Sequence, residues 1–557
     1  MTMSKSRTIC TVIISNFLLL GLPLHLAAQH EPLTVAESSD FAATSRFTDV
    51  IDFIKELQRQ SPLIRVETLC TSTEGRKVPL LVIGNPPPSS PAELKNDDRE
   101  VVYFQANIHA GEVEGKEAAL MLARDILRGK TPPYLEKLVV LIAPIFNADG
   151  NEKISPDNRR RQVGPEQGVG IRYNGQNLDL NRDGLKLESP EVLGLVRNVL
   201  IRWDPILFVD SHTHNGSYHQ EPVTWTWGLN PNGDTTLLDY MADKMMPAVN
   251  KRMREQYNTL CLPHGDFMDV RNPEKGWVPL VPQPRYISNY VGLRNRLSVL
   301  NEQYPYVDFE ERVRGCYNLF LSFLDYCRTN RDEITEMLEE ANRKTAARGL
   351  NPTADDVFIV EYGREPIRDR FTILGYEMEI KEEEGRRPQV RPTETKRNYS
   401  DVPYYARYTK KRTVQFPRGY LITIRDTAII EKLKQHGIMV EQLTEPVSLT
   451  VESFTITEIT PAQQINQGHY TNSVKGEYSL EEKEFPAGTF FVSTAQSLAN
   501  VAAYLLEPES DDGLIVWNYF DRYLGLQWGG GPRKYPVYKL HQPANLVKET
   551  VGSLIER

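Results

Sequence analysis

The sequence predicts an α/β domain with a mixed, largely parallel central sheet flanked by helices, followed by a β-rich α+β domain. Two observations carry this expectation. Between about Phe47 and Asp325, short wholly apolar runs alternate with segments of helical periodicity. After about Leu350 the pattern changes to two-residue alternation. A chain of 557 residues, 40% of them hydrophobic, supplies apolar side chains for two cores.

In chain order, "FTDVIDFIKELQ" has apolar residues at helical spacing. "KVPLLVIG", "VVYFQANI", "LVVLIAPIF", "PILFVD" and "LSVL" are apolar nearly throughout, as strands covered on both faces are. "EGKEAALMLARDILRG" and "SPEVLGLVRNVLIRW" have helical periodicity and separate several of these runs. The helical "NLFLSFLDYCRTNRDEITEMLEEANRKTAA" closes a first domain, set at residues 41–345. Residues 346–557 form the second, with strand patterns in "FTILGYEMEI", "YLITI", "PVSLTVESFTIT" and "GTFFVSTA". The charge-dense, aliphatic-poor stretch at about 382–412 reads as a long exposed loop.

At the N-terminus, Lys5 and Arg7 precede an apolar stretch from about Ile9 to Leu22, and Ala27 and Ala28 follow. This is the pattern of a secretory signal peptide, residues 1–28, and it predicts a secreted or periplasmic protein. No other run approaches the ~20 apolar residues of a membrane span, so no stable membrane insertion is expected after cleavage. A net charge of -9 offers no attraction for nucleic acid. Cys10 lies in the signal; Cys70, Cys261, Cys316 and Cys327 allow up to two disulfides, with pairing that spacing cannot assign.

Chemistry-bearing residues gather where apolar strands end. His109 and Glu112 follow "VVYFQANI", and both residue types suit Zn²⁺. Ten histidines give about one HxxE by chance, so the pair needs company. "PILFVDSHTHNG" runs into His212 and His214, either of which would complete a His₂Glu set with a fourth position for water. Glu302 follows a third apolar strand, where a carboxylate can take a proton from water and pass it to a leaving group. In "NLDLNRD", Arg182 and Asn181 suit a substrate carboxylate, and Asp179 suits the second nitrogen of a metal-binding imidazole. Arg159, Arg160 and Arg161 are candidates for polarising a scissile carbonyl.

Taken in order, "STEGRKVPLLVIG", "IHAGEVEGKE", "IFNADGNE", "NRRRQ", "NLDLNRD", "ESPE", "VDSHTH" and "LNEQYPY" resemble the zinc carboxypeptidases of the carboxypeptidase A type, from roughly Phe47 to Leu324. The resemblance implies one Zn²⁺ held by His109, Glu112 and His212, with His214 a neighbour. It implies Glu302 as general base and acid, Asn181 and Arg182 as anchors for a substrate's C-terminal carboxylate, and Asp179 as support for His109. The oxyanion arginine falls within "NRRRQ", with Arg159 preferred. Tyr286 and Tyr290 are candidates for the tyrosine that closes over substrate, while "NADG" departs from the family's "NPDG".

The function expected is a secreted zinc metallocarboxypeptidase acting on peptides with a free C-terminal carboxylate. One alternative keeps the site but acts as a zinc amidase on cell-wall peptides or acylated amino acids. A second, from another class, is a catalytically inactive peptide-binding protein.

Overall fold

The structure is a computed structural model describing residues 31–214, 216–381, 389–525 and 533–552. The signal-peptide expectation therefore lies outside the described residues. Among those described, no helix is long and apolar enough to cross a membrane.

The N-terminal region is built on one eight-stranded sheet. Its strands are β1 (Ile64–Thr71), β2 (Lys77–Ile83), β3 (Glu100–Ala106), β4 (Leu138–Ala143), β5 (Leu207–Thr213), β6 (Val223–Trp227), β7 (Cys261–Pro263) and, after the small ribbon of β8 (Asp266–Phe267) and β9 (Trp277–Val278), β10 (Leu297–Gln303). The order is β1-β2-β4-β3-β5-β10-β6-β7. β3 runs parallel to β4 and β5, β5 to β10, and β6 to β7; β1–β2, β2–β4 and β6–β10 are antiparallel. The continuous burial of β4, β5 and β10 follows from helices on both faces, which leaves no face for polar alternation. The helices Phe47–Gln60, Glu114–Leu127 and Phe309–Leu350 are the longest of these.

Register decides what these strands deliver. β3 and β5 pair Ala106 with Ser211, and β5 and β10 pair His212 with Glu302. Three parallel strands thus end level at their carboxyl ends, where open α/β sheets gather their ligands.

The closing helix extends beyond the expected boundary at residue 345, reaching Leu350 with a non-helical residue at Asn330. Beyond it lie two ribbons, β11 (Val357–Glu365) with β14 (Arg407–Gln415), and β12 (Arg370–Lys381) with β13 (Gln389–Pro403). The stretch expected as a loop at about 382–412 is therefore mostly strand, with 382–388 outside the described residues. A ribbon solvated over most of its surface needs few aliphatics, so charge density did not reveal it. Tyr399, 2% exposed, ties β13 down, its ring 5.3 Å from Phe267.

A second sheet uses β15 (Gly419–Ile422), β16 (Glu441–Leu443), β17 (Val447–Pro461), β18 (Asn472–Phe485), β19 (Phe490–Ser493), β20 (Arg533–Lys534), β21 (Val537–Leu540) and β22 (Lys548–Thr550). One buried apolar cluster extends from Ala36 in the first region to Val537 in the second. Polar contacts cross the same boundary: Lys432 Nζ donates to the Leu187 carbonyl at 3.1 Å, and Asn230 Nδ2 to the Tyr504 hydroxyl at 2.9 Å. All four described cysteines are free thiols, so neither allowed disulfide forms.

Glu114, in the first turn of its helix, is fully buried and accepts from Arg312, whose guanidinium also donates to the carbonyls of Val163, Gly164 and Val307. Removing one partner of such a pair strands the other charge without solvent. Arg312→Ala is expected to destabilise the fold by about 3–5 kcal/mol in a denaturant titration.

Candidate metal centre

The loop after β3 enters the helix Glu114–Leu127 through His109, Ala110, Gly111 and Glu112, with His109 and Glu112 each 3% exposed. His212 lies one residue before the end of β5 and is also 3% exposed. His212 Nδ1 is 3.3 Å from His109 Nδ1 and 3.1 Å from Glu112 Oε2; His109 Nδ1 is 3.1 Å from the same oxygen. Ligand atoms arranged tetrahedrally around one zinc at its usual bond lengths stand about 3.3 Å apart. The three atoms therefore fit a single zinc ion without rearrangement, and they are the one such cluster found among the described residues.

Each imidazole turns Nδ1 inward and rests Nε2 on a carboxylate. His109 Nε2 is 3.0 Å from Asp179 Oδ1, and His212 Nε2 is 3.0 Å from Asp210 Oδ2. Such partners fix ring orientation and tautomer. Asp210 was not among the sequence candidates, although its signal was present: in a strand, residues two apart share a face, and "DSH" sets Asp210 two before His212. Gln105 Nε2 donates to Asp210 Oδ1 at 3.1 Å, extending the support into β3.

Two arginines converge from loops. Arg159 donates from Nη1 to Glu112 Oε1 at 2.8 Å, from Nη2 to the Thr213 carbonyl at 2.9 Å and from Nε to Gln162 at 2.8 Å. Its φ of 51° is a left-handed conformation that a non-glycine residue adopts at a cost, held here by those three bonds. Arg172, which sequence reasoning passed over, donates from Nε to Asp179 Oδ2 at 2.8 Å and brings Nη1 within 3.3 Å of His109 Nδ1 and 3.7 Å of Glu112 Oε1. Its side chain is 34% exposed against 15% for Arg159, so Arg172 is the more exposed guanidinium at the cluster. Arg160 is 75% exposed and pairs with Asp157, away from the cluster.

Glu302 sits beside His212 and is buried, with Oε2 lacking any hydrogen-bond partner. Burial pushes its carboxyl up to about 8; His212 opposes this and the charge of Glu112 adds to it. Glu112 is also raised by burial, but His109 and Arg159 hold it well below the usual carboxylate range. His212, despite burial, is held well above the usual imidazole range by Asp210. A metal ion takes imidazole in its neutral form, so a bound cation would compete with a proton at His212.

The other sequence candidates divide. Asn181 lies at the cluster, its Nδ2 3.5 Å from His212 Nε2, while its Oδ1 accepts from the Ile287 amide at 3.0 Å. Arg182 lies next to it with its guanidinium 4.1 Å over the Tyr286 ring, which brings Tyr286 to the same side. Tyr290 is not brought to the cleft: it is fully buried, and its hydroxyl is engaged by His436 at 2.7 Å and Arg294 at 3.0 Å. His214 turns from the cluster toward His264 and His219, at ring distances of 4.8 and 5.9 Å.

Residues 50–211 match the family model of the zinc carboxypeptidases. Over that span the chain is similar to the zinc carboxypeptidases. The match contains His109 and Glu112 and stops one residue before His212, whose place beside them comes from the geometry. Among curated proteins, Carboxypeptidase 2 of Trichophyton equinum is 22% identical over 504 residues, covering 84% of this chain and 81% of the relative. Probable carboxypeptidase 2 of Arthroderma benhamiae is 23% identical over 529 residues, covering 89% and 90%. Among solved structures, a metallo-carboxypeptidase from Burkholderia cenocepacia is 18% identical with a TM-score of 0.38, covering 51% of this chain and 69% of that one.

Gly111 has a specific place in this candidate site. A Cβ there would meet Arg159 Cδ at 2.6 Å and the Gly170 carbonyl oxygen at 3.1 Å. Its value is space for the arginine that holds Glu112. Gly111→Ala is expected to displace Arg159 and weaken zinc binding about tenfold in a chelator competition, while the thermal midpoint of the metal-free protein changes little.

Proposed function

We propose that the protein is a secreted zinc metallocarboxypeptidase that hydrolyses the C-terminal bond of peptides carrying a free carboxylate, through water activated with Glu302 as general base. The observation that carries this reading is the unpartnered Glu302 carboxylate in register with His212, beside three ligand atoms 3.1–3.3 Å apart. His109, Glu112 and His212 would hold one zinc ion, leaving a fourth position open. When bound, zinc supplies Lewis acidity toward a carbonyl and a water.

The remaining work belongs to side chains. Glu302 takes a proton at Oε2, which has no other hydrogen-bond partner, from the attacking water and delivers it to the departing amine. Arg172 stabilises the oxyanion, because its guanidinium is the more exposed of the two at the cluster. Arg159, first preferred for that role, has its guanidinium bonded to Glu112, Thr213 and Gln162, and it positions Glu112. Arg182, stacked on Tyr286, receives the substrate carboxylate, and Asn181 shapes that side of the cleft. Secretion rests on the pattern of residues 1–28.

Glu302→Gln should lower kcat by about 10²–10⁴-fold while one zinc per chain remains bound. A folded, zinc-loaded variant with wild-type turnover would reject the assignment. Paired peptides with free and amidated C-termini separate this reading from the zinc amidase. Preference for the free acid, abolished in Arg182→Met, is the expected result; equal cleavage of both would favour an amidase on other acylated amino acids.

A further inference from the structure

We propose that the turn between β17 and β18 is a working part of the metal site, with Gln467 at its apex acting as a positioning residue for Asp179. The proposal rests on the zinc reading above. Asn466 and His469 pair through both main-chain bonds, at 2.8 and 3.0 Å, and enclose a two-residue turn of Gln467 and Gly468 with φ of 53° and 81°. Two consecutive positive φ values define the type I′ turn, whose first position favours Asn, Asp or Gly. Gln467 is poorly suited to that conformation.

What the glutamine contributes lies 288 residues away in sequence: its Oε1 accepts the Asp179 main-chain N–H at 2.8 Å. The Asp179 carboxylate in turn meets His109 Nε2 at 3.0 Å, Arg172 Nε at 2.8 Å and the Asn181 amide at 3.0 Å. One side chain from the C-terminal region thus fixes the backbone of the residue that orients a metal ligand, an arginine and an asparagine of the cleft. Backbone strain at such a point is a pointer toward function.

A second contact docks the same turn. His469 Nε2 is 2.9 Å from Glu188 Oε1, Nδ1 is 3.1 Å from Asn518 Oδ1, and the ring packs edge-on against Trp517 at 5.5 Å. Gln467 and His469 therefore grip the 179–188 segment at both ends. Core formation does not account for this docking, because the large apolar side chains of the turn, Ile465 and Tyr470, are 62% and 52% exposed.

The test uses full-length protein carrying Gln467→Gly, Gln467→Asn or His469→Ala. Gly and Asn suit the turn better than Gln, so the thermal midpoint of the metal-free Gln467 variants should equal or exceed that of wild type. Their zinc affinity, read by competition with a chelator, should fall about tenfold, with kcat/KM falling alongside. His469→Ala should shift zinc affinity in the same direction, and the double variant should lose less than the product of the single losses. Wild-type zinc affinity in both Gln467 variants would overturn the proposal, as would losses that merely track a lowered thermal midpoint. A wild-type chain that binds no zinc would overturn the reading beneath it.

Discussion

The structure depends on enclosing two imidazoles, two glutamates and two outer aspartates in one buried place. Glu112 and Glu302 repel one another there, and burial penalises both. What makes the arrangement tenable is a partner for each carboxylate but Glu302: Arg159 and Arg172 beside Glu112, Arg172 beside Asp179, and His212 beside Asp210. A divalent cation is the natural completion of such a site. Gly111 leaves the space that the Arg159 side chain occupies beside Glu112.

Much of the catalytic region was legible because parallel strands covered on both faces are nearly pure apolar runs. β2, β3, β4, β5 and β10 each follow such a run, and the ends of β3, β5 and β10 carry His109, His212 and Glu302. β6, "VTWTW", escaped because alternating Thr and Trp do not form an aliphatic run, although all five residues are buried. Arg172 escaped because an isolated loop arginine has no local signature, whereas three consecutive arginines attract notice for composition alone. Tyr290 misled for the opposite reason: its place in the chain fits the cleft, but its hydroxyl was already engaged across the interface by His436.

The C-terminal region was the least legible, for a physical reason. Its ribbons are largely solvated, so their sequences carry charge where core strands carry aliphatics, and β13 looked like a loop. The fold uses these ribbons against the cleft-bearing region. The Gln220 main-chain N–H donates to the Leu374 carbonyl at 2.7 Å, the Tyr404 hydroxyl donates to the His264 carbonyl at 2.9 Å, and Gln467 reaches Asp179. Couplings between residues hundreds of positions apart leave no periodicity to find.

All the chemistry proposed for this site requires His109, Glu112 and His212 to hold zinc through two imidazole nitrogens and a carboxylate oxygen. X-ray absorption at the zinc edge on the purified full-length protein tests it most directly. The expected result is about one zinc per chain in a shell of nitrogen and oxygen at about 2.0–2.2 Å, with imidazole scattering from two rings. A sulfur shell at about 2.3 Å, or a chain that retains no zinc, would contradict it.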